Sequence, residues 1–525
     1  MRSPPEDSWN TAYGIFFLQG IGQLFPWNIF INAENYFSTR LCGSSFETNF
    51  ENYFSAGYNL SAIMGLVLAL RYQDRWNLAG RIMGSLAISL LAFVACAIFV
   101  LAEGVSSNFL FVCTMGLILT TGLSTAVLQG GLFSFASSFP PRYTQAMMAG
   151  QGLAGLAVAL AGLLTTLVGP DDQSCIVDIE MASTAHDGSS STTGHHSPGY
   201  AGARALHGTP QESSCVAYTR DWSTLGYFGV AVVVLLGCML TYPLLDRLPL
   251  TAFYTRSRDD GGAGIQSVSE DCVRETSVVG EWLGVGRSTT ISPSSPTGPS
   301  MYRRLVDAPP ARLLSMDKPL SDAAVHDERE RAESTGTKGY VQVETAAEVG
   351  GFRARLAPIS RSAFSVFMVF TVTLSVFPGA TSKIVSSRQC DPGRSRFFAS
   401  DVFIMFSFVS FNAFDVIGRF AAGLPFAMPR AWLPIASVAR LIFVPLFLLC
   451  RSEQSRFRNW LSADIYPLIL MPMFALTNGY VGSLSMMAGS QEGAWAGTAM
   501  VLFLSGGLLV GSLLSFLVLY VSTES

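Results

Sequence analysis

The stretch Phe25–Phe37, FPWNIFINAENYF, closes the first long apolar run of the chain, Thr11–Ile31. A helix of roughly 20 apolar residues is as long as the hydrocarbon layer of a bilayer is thick. Yet Pro26, Trp27 and Asn28 stand side by side inside this run. Pro26 removes a backbone donor and can kink a helix. The Asn28 amide needs a partner where water is absent. Trp27 offers a flat, rigid aromatic face. The triplet reads as part of a ligand pathway, or as a proline kink whose Trp and Asn touch only neighbouring helices. These residues alone leave both readings open.

The rest of the chain repeats the apolar pattern. Of 525 residues, 50% are hydrophobic and only 13% charged. Soluble domains carry about twice that charged fraction. The chain therefore reads as an all-α polytopic membrane protein. Eleven candidate spans are expected, at 11–31, 54–72, 79–102, 108–138, 143–169, 223–246, 358–384, 398–424, 431–450, 461–486 and 493–521. The N-terminal segment, MRSPPEDSWN, lacks the basic region of a signal peptide, so the first run is expected to be a retained span.

Two polar segments interrupt the spans, Asp171–Asp221 and Arg247–Arg355. Rich in Ser, Gly and charge, and poor in aromatics, both resemble disordered loops. The expected layout is a cytoplasmic N-terminus (1–10), a six-helix bundle (11–246) with an extracellular polar loop (170–222), a long disordered cytoplasmic loop (247–357), and a five-helix bundle (358–525). This 6+5 plan is that of a two-bundle transporter. Short loops show no clear positive-inside bias, but Arg247, Arg256, Arg258, Arg353 and Arg355 tip the central loop to the cytoplasm. An odd number of spans then leaves the C-terminus outside. The sequon Asn59-Leu60-Ser61 falls within a span and is not expected to carry glycan.

All five histidines lie in polar loops, which argues against a histidine relay or metal site in the membrane. The nine cysteines show no CxxC pair and no zinc spacing. Cys175 and Cys215 flank one polar loop and could pair if it faces outside, or remain free thiols. No P-loop, nucleophile elbow or zinc helix occurs, and GxGxxG-like strings fall only within apolar helices, where they mean packing. An enzyme is not expected, nor a cofactor, nor a nucleic-acid partner.

Ionisable residues in mid-span are costly and therefore informative. In FSFVSFNAFDVIGRFAAG, Asn412, Asp415 and Arg419 are spaced three and four apart and share one helix face. A carboxylate accepts from vicinal hydroxyls and a guanidinium donates in a planar fork, chemistry that suits a sugar. The alternative is an ion pair that only locks helices together; Asn412, a third polar group on that face, favours ligand contact. Arg440, in ASVARLIFVP, must find a partner, either Asp415 or a carbonyl, and reads as structural. Gln129, in TAVLQGGLFSF, offers an amide that could pair with a base edge or bond a neighbouring helix in a small-residue seam. Gly150, Gly152, Gly155 and Gly162, and later Gly497, Gly506, Gly507 and Gly511, read as packing seams. The string DRWNLAGR (Asp74, Arg75, Arg81) resembles the gate-loop charges of major facilitator transporters.

These stretches resemble the equilibrative nucleoside transporters. FPWNIFINAENYF is similar to that family's first helix, and LQGGLFSFASSFPPRYTQAMMAGQGLAG to its fourth and fifth. TVTLSVFPGATSKIVSS is similar to the seventh, FNAFDVIGR to the eighth, and ARLIFVPLFLLC and FALTNGYVGSLSM to the ninth and tenth. The resemblance implies a major-facilitator-like fold of eleven helices that carries nucleosides, and in some members nucleobases. It implies that Leu24 and Trp27 line the base end and Gln129 bonds the base. Asp415 and Arg419 would hold the ribose hydroxyls, with Asn412 and Phe408 nearby. Asn28 and Phe377 would belong to closing helices, with Arg440 in a supporting role. The loop AGSQEGAW lacks a lysine pair seen in some relatives, and the central loop is longer.

The expected partners are a nucleoside such as adenosine or inosine and the lipid bilayer. The chain is read as a monomer in the plasma membrane, working by facilitated diffusion. A proton-coupled symporter would need a carboxylate that changes state, with Asp415, Glu34 and Glu103 as candidates; ion pairing of Asp415 with Arg419 disfavours it. A carrier of organic cations, or a receptor, is the remaining alternative.

Overall fold

The computed structural model describes residues 4–46, 50–73, 75–168, 221–259, 352–391, 393–425, 427–450, 452 and 460–522. Helix α1 (Thr11–Asn32) begins where Asp7 folds back, accepting from the N–H groups of Ala12 and Tyr13 at 2.9 and 3.1 Å. This satisfies two of the first-turn donors that every helix leaves open. Pro26 lies inside α1 without ending it. A short helix, α2 (Glu34–Leu41), follows and buries Tyr36, Phe37 and Leu41.

Four long helices come next: α3 (Phe50–Arg71), α4 (Leu78–Leu101), α5 (Ser107–Ala136) and α6 (Pro141–Val168). Asn77 caps α4 through the N–H of Ala79, and Pro141 starts α6, where its missing N–H costs nothing. Asp221 caps α7 (Trp222–Arg247) through Ser223 and Thr224. Helix α8 (Pro249–Asp259) then continues into what reads from the sequence as loop, and α9 (Phe352–Leu356) shortens that loop from its far end. The reason is packing. Leu250 is buried, Thr251 donates to the Leu245 carbonyl, and the Tyr254 ring meets Phe139 at 5.5 Å. The rest of the central segment, most of the polar loop 170–222, Cys175, Cys215 and the histidines lie outside the described residues.

The second half holds α10 (Ser360–Val376), α11 (Ser400–Ala421), the pair α12 (Leu433–Ala439) and α13 (Phe443–Leu448), α14 (Ile465–Ser490) and α15 (Ala494–Ser522). Helix α10 ends before Pro378, whose peptide bond with Phe377 is cis. The ninth expected span is not one helix. Arg440–Ile442 is a 3-10 turn between α12 and α13. Pro445 cannot donate to the carbonyl four residues back, and the chain tightens there.

Ten helices or helix groups are long and apolar enough to cross a membrane, among the described residues. Helix α1, 22 residues long, has the length of a further span, so the eleven expected spans are matched closely. Leu91, Val112, Val233, Leu240, Phe516 and Leu517 project outward and exposed. That is the pattern of a surface solvated by lipid.

Helix α1 packs on α6 and α7, α3 on α5, and α4 on α5 and α7. In the other half α10 packs on α14 and α15, and α11 on α14. Between the halves, α6 lies along α11 and α15 along α3 and α5. At Gly479 of α14 a Cβ would run into the Asp415 carbonyl of α11, so only glycine allows that approach.

Candidate functional site

Asp415 and Arg419 sit one turn apart on α11, and each is about 95% buried (4% and 5% exposed). Arg419 Nε lies 2.6 Å from Asp415 Oδ2. The other carboxylate oxygen, Oδ1, accepts from Asn478 Nδ2 of α14 at 2.7 Å. Arg419 Nη1 reaches across to the other half and donates to the Met148 carbonyl of α6 at 2.8 Å. Gly152 makes room for this crossing, since a Cβ there would lie 2.9 Å from Arg419 Cδ. Gln145 of α6 returns the link, donating Nε2–H to the Arg419 carbonyl at 3.2 Å. The Gln145 oxygen accepts from the Tyr13 hydroxyl of α1 at 3.0 Å. Hydrogen bonds to Asn478 and Met148 on either side of the buried ion pair offset part of its desolvation cost.

Arg440 does not touch Asp415 directly. Its Nη2 donates to Thr373 Oγ1 of α10 at 2.8 Å, and its guanidinium lies over the Phe474 ring, 4.8 Å from the centroid. Thr373 in turn lies 2.7 Å from Asn478 Oδ1. Of the two partners read from the sequence, a carboxylate or a carbonyl, neither is the one found.

The aromatic members form separate stacks. The Phe377 ring lies parallel to Phe411 at 4.0 Å and edge-on to Phe408 at 5.2 Å. Trp27 stacks on Tyr58 of α3 at 4.1 Å, so one of its faces is already covered. Asn412 donates to the Phe408 carbonyl on its own helix at 2.9 Å, and its oxygen faces the backbone of Gly155. Leu24, Asn28 and Gln129 are half-buried. Among the described residues no hydrogen bond or ring contact ties Trp27 or Gln129 to the Asp415 cluster. A mostly apolar groove of about 460 Å³, lined by Ile63, Phe364, Phe367, Leu502 and Phe503 with Ser360 at α10, lies between α3, α10 and α15.

A model of the family described as "Nucleoside transporter" matches residues 115–179 and 309–520, which include α6, α11 and α14. The chain belongs to the nucleoside transporter family. It is 28% identical to equilibrative nucleoside transporter 1 of Homo sapiens, with 98% of each chain covered. It is 29% identical to equilibrative nucleoside transporter 2 of Rattus norvegicus, again over 98% of each. Equilibrative nucleotide transporter 1 of Arabidopsis thaliana is 24% identical over 98% of this chain and 87% of that one. Among solved structures, the major facilitator superfamily proton:xylose symporter XylE matches with a TM-score of 0.53 at 10% identity, covering 97% of this chain and 87% of that one. This likeness supports the major-facilitator fold. Family and relatives are transporters, not enzymes.

In this nucleoside transporter, the sequence reading overlooked the partners of its own motif. Asn478 stands in an apolar run beside a glycine, the same signal that singled out Gln129. Thr373 gives no signal, because a threonine in a helix ordinarily bonds its own backbone; here it also reaches the Val369 carbonyl at 2.8 Å. Gln23 and Gln151, joined at 2.7 Å between α1 and α6, were passed over as well.

Proposed function

We propose that this nucleoside transporter carries nucleosides across its membrane by facilitated diffusion and alternating access, binding them between α1 and α5 on one side and α11 on the other. The observation that carries this reading is the Asp415–Arg419 pair, buried in α11 and hydrogen-bonded on both sides. A carboxylate held as an acceptor beside a planar donor matches a pair of vicinal hydroxyls. Trp27 supplies a ring for the base, and Gln129 an amide with both donor and acceptor. Asn28, Phe377 and Arg440 support the helices that close over it. The relatives' printed names point to the same substrates.

Direction follows from where the halves are tied. Arg419 to Met148, Gln145 to Arg419, Gln491 to the Phe139 carbonyl (3.3 Å) and Thr498 to the Gly130 carbonyl (3.0 Å) all link α5–α6 to α11–α15. The α5–α6 and α14–α15 connections, Phe139 and Gln491 among them, lie on the face where the chain starts. Asp7 fastens that face to Arg142 and Tyr143 at 3.2 and 3.1 Å. Cys42 and Cys390, each disulfide-bonded, follow α1 and α10 on the opposite face. Disulfides belong to oxidising compartments. This supports a cytoplasmic N-terminus, an extracellular C-terminus, and a state sealed toward the cytoplasm. The plasma membrane is the location we assign.

The test is uptake of adenosine and of 2′,3′-dideoxyadenosine into proteoliposomes. The reading expects saturable adenosine entry with a KM about tenfold or more below that of the dideoxy analogue, the worth of one charge-assisted hydrogen bond. Equal KM values would remove the hydroxyl-binding role from the pair.

A further inference from the structure

Arg440 is 2% exposed, yet among the described residues its Nε and Nη1 have no acceptor. A buried guanidinium without a carboxylate beside it is costly, and a residue that only filled this space would be apolar. Its single hydrogen bond is therefore informative. We propose that Arg440, Thr373 and Asn478 are positioning residues, a relay of donors that presents the Asn478 amide N–H to Asp415 Oδ1 and so orients the carboxylate as an acceptor. The proposal rests on the reading of Asp415 as the hydroxyl anchor and adds what keeps it one.

The direction follows from donor inventory. Arginine cannot accept, so Thr373 Oγ1 must be the acceptor at 2.8 Å. The hydroxyl has one proton to give and two acceptors within reach, Asn478 Oδ1 at 2.7 Å and the Val369 carbonyl at 2.8 Å. Giving it to Asn478 fixes the amide: Oδ1 accepts, so Nδ2 donates, and it does so to Asp415 Oδ1 at 2.7 Å. An ionised carboxylate only accepts, so the chain ends there with no conflict. A proton on Asp415 Oδ1 would face the Asn478 N–H. The amide would have to turn, and Thr373 would have to swing its proton to Val369. Thr373 keeps a lone pair for Arg440 in either arrangement, so Arg440 anchors the hydroxyl between α10 and α14.

Four elements each supply one member: the 3-10 turn after α12, then α10, α14 and α11. Arg419 Nε holds the other oxygen, Oδ2, at 2.6 Å, and the relay serves Oδ1. Helix α14 carries no acidic or basic residue. On α6, Arg142 is engaged by Asp7, beside Tyr143. Arg396 pairs with Asp401 at the other end of α11, and Lys383 lies in the turn after α10.

The experiment uses the full chain in proteoliposomes, with uptake of adenosine and its dideoxy analogue measured from about pH 5 to pH 8. The wild-type profile is expected to be flat. Thr373→Val breaks the relay; adenosine KM is expected to rise about tenfold, with the maximal rate per folded protein retained and the dideoxy KM unmoved. Thr373→Ser restores the hydroxyl and should restore the adenosine KM. Asn478→Asp is the second variant. It sets two carboxylates in contact, which must share a proton, so its uptake should become acid-requiring. Thr373→Val behaving like Thr373→Ser, or an Asn478→Asp profile as flat as wild type, overturns the relay. If the wild type itself handles both substrates alike, the hydroxyl anchor fails first; if it discriminates and Thr373→Val still does, only the relay fails.

Discussion

Asp415 concentrates the chemistry of this molecule in two oxygen atoms, each bonded by a different donor. Asp415→Asn keeps the shape but removes the charge, and a lost charge-assisted hydrogen bond is worth about 1.5–3 kcal/mol. Adenosine uptake per folded protein is expected to fall by about tenfold to hundredfold, read against the amount of variant in the membrane. Near-normal uptake would leave the pair a packing element. Gln129→Ala is expected to reorder purines against pyrimidines in competition assays with little change in folded protein, because its amide bonds no other described residue. The spacing of Asp415 and Arg419 was legible in the sequence, since residues four apart on a helix must meet. The partners that complete the pair were not. Asn478 is 63 residues away along the chain, and Met148 is 271. Only the packing of α11 between α6 and α14 brings them together, and no local pattern encodes it.

Helices were the most readable features, because long apolar runs in lipid must satisfy their own backbone. The exceptions have named causes. Helix α1 carries two glutamines inside an apolar run, and both bond inward, Gln19 to the Cys238 carbonyl and Gln23 to Gln151. Helix α8 lies in a segment whose composition reads as loop, yet Leu250 and Tyr254 find a surface at Leu245 and Phe139. The ninth span breaks at Arg440–Ile442 because Pro445 withholds a donor. That break aims Arg440 at Thr373. Pro445→Ala restores the donor and relieves a penalty of up to about 3 kcal/mol for proline inside a helix. The variant is expected to melt at the same or a higher temperature while its adenosine KM rises, because Arg440 is re-aimed. A higher KM with a lower melting temperature would make the break a matter of stability instead.

Two halves that meet along α6–α11 and α5–α15 share a buried apolar cluster and are also tied by side chains bonded to backbone carbonyls. Such hydrogen bonds can be exchanged for others when the halves rock. Gln145 meets Arg419 only at its backbone carbonyl, and Gln491 meets the Phe139 carbonyl. The double variant Gln145→Ala with Gln491→Ala loses two hydrogen bonds between the halves at about 1 kcal/mol each. It is expected to shift the carrier toward the cytoplasm-open state, so that a thiol reagent reaches cytoplasmic-half cysteines introduced beside Met148 several times faster. Unchanged labelling would mean that the seal lies elsewhere. The central claim is that a paired, fully bonded Asp415 serves a passive nucleoside carrier. It is tested most directly by following labelled adenosine into proteoliposomes with and without an inward proton gradient. The account predicts saturable entry that stops at equal concentrations on both sides, gradient or none; accumulation above equilibrium that requires the gradient would contradict it.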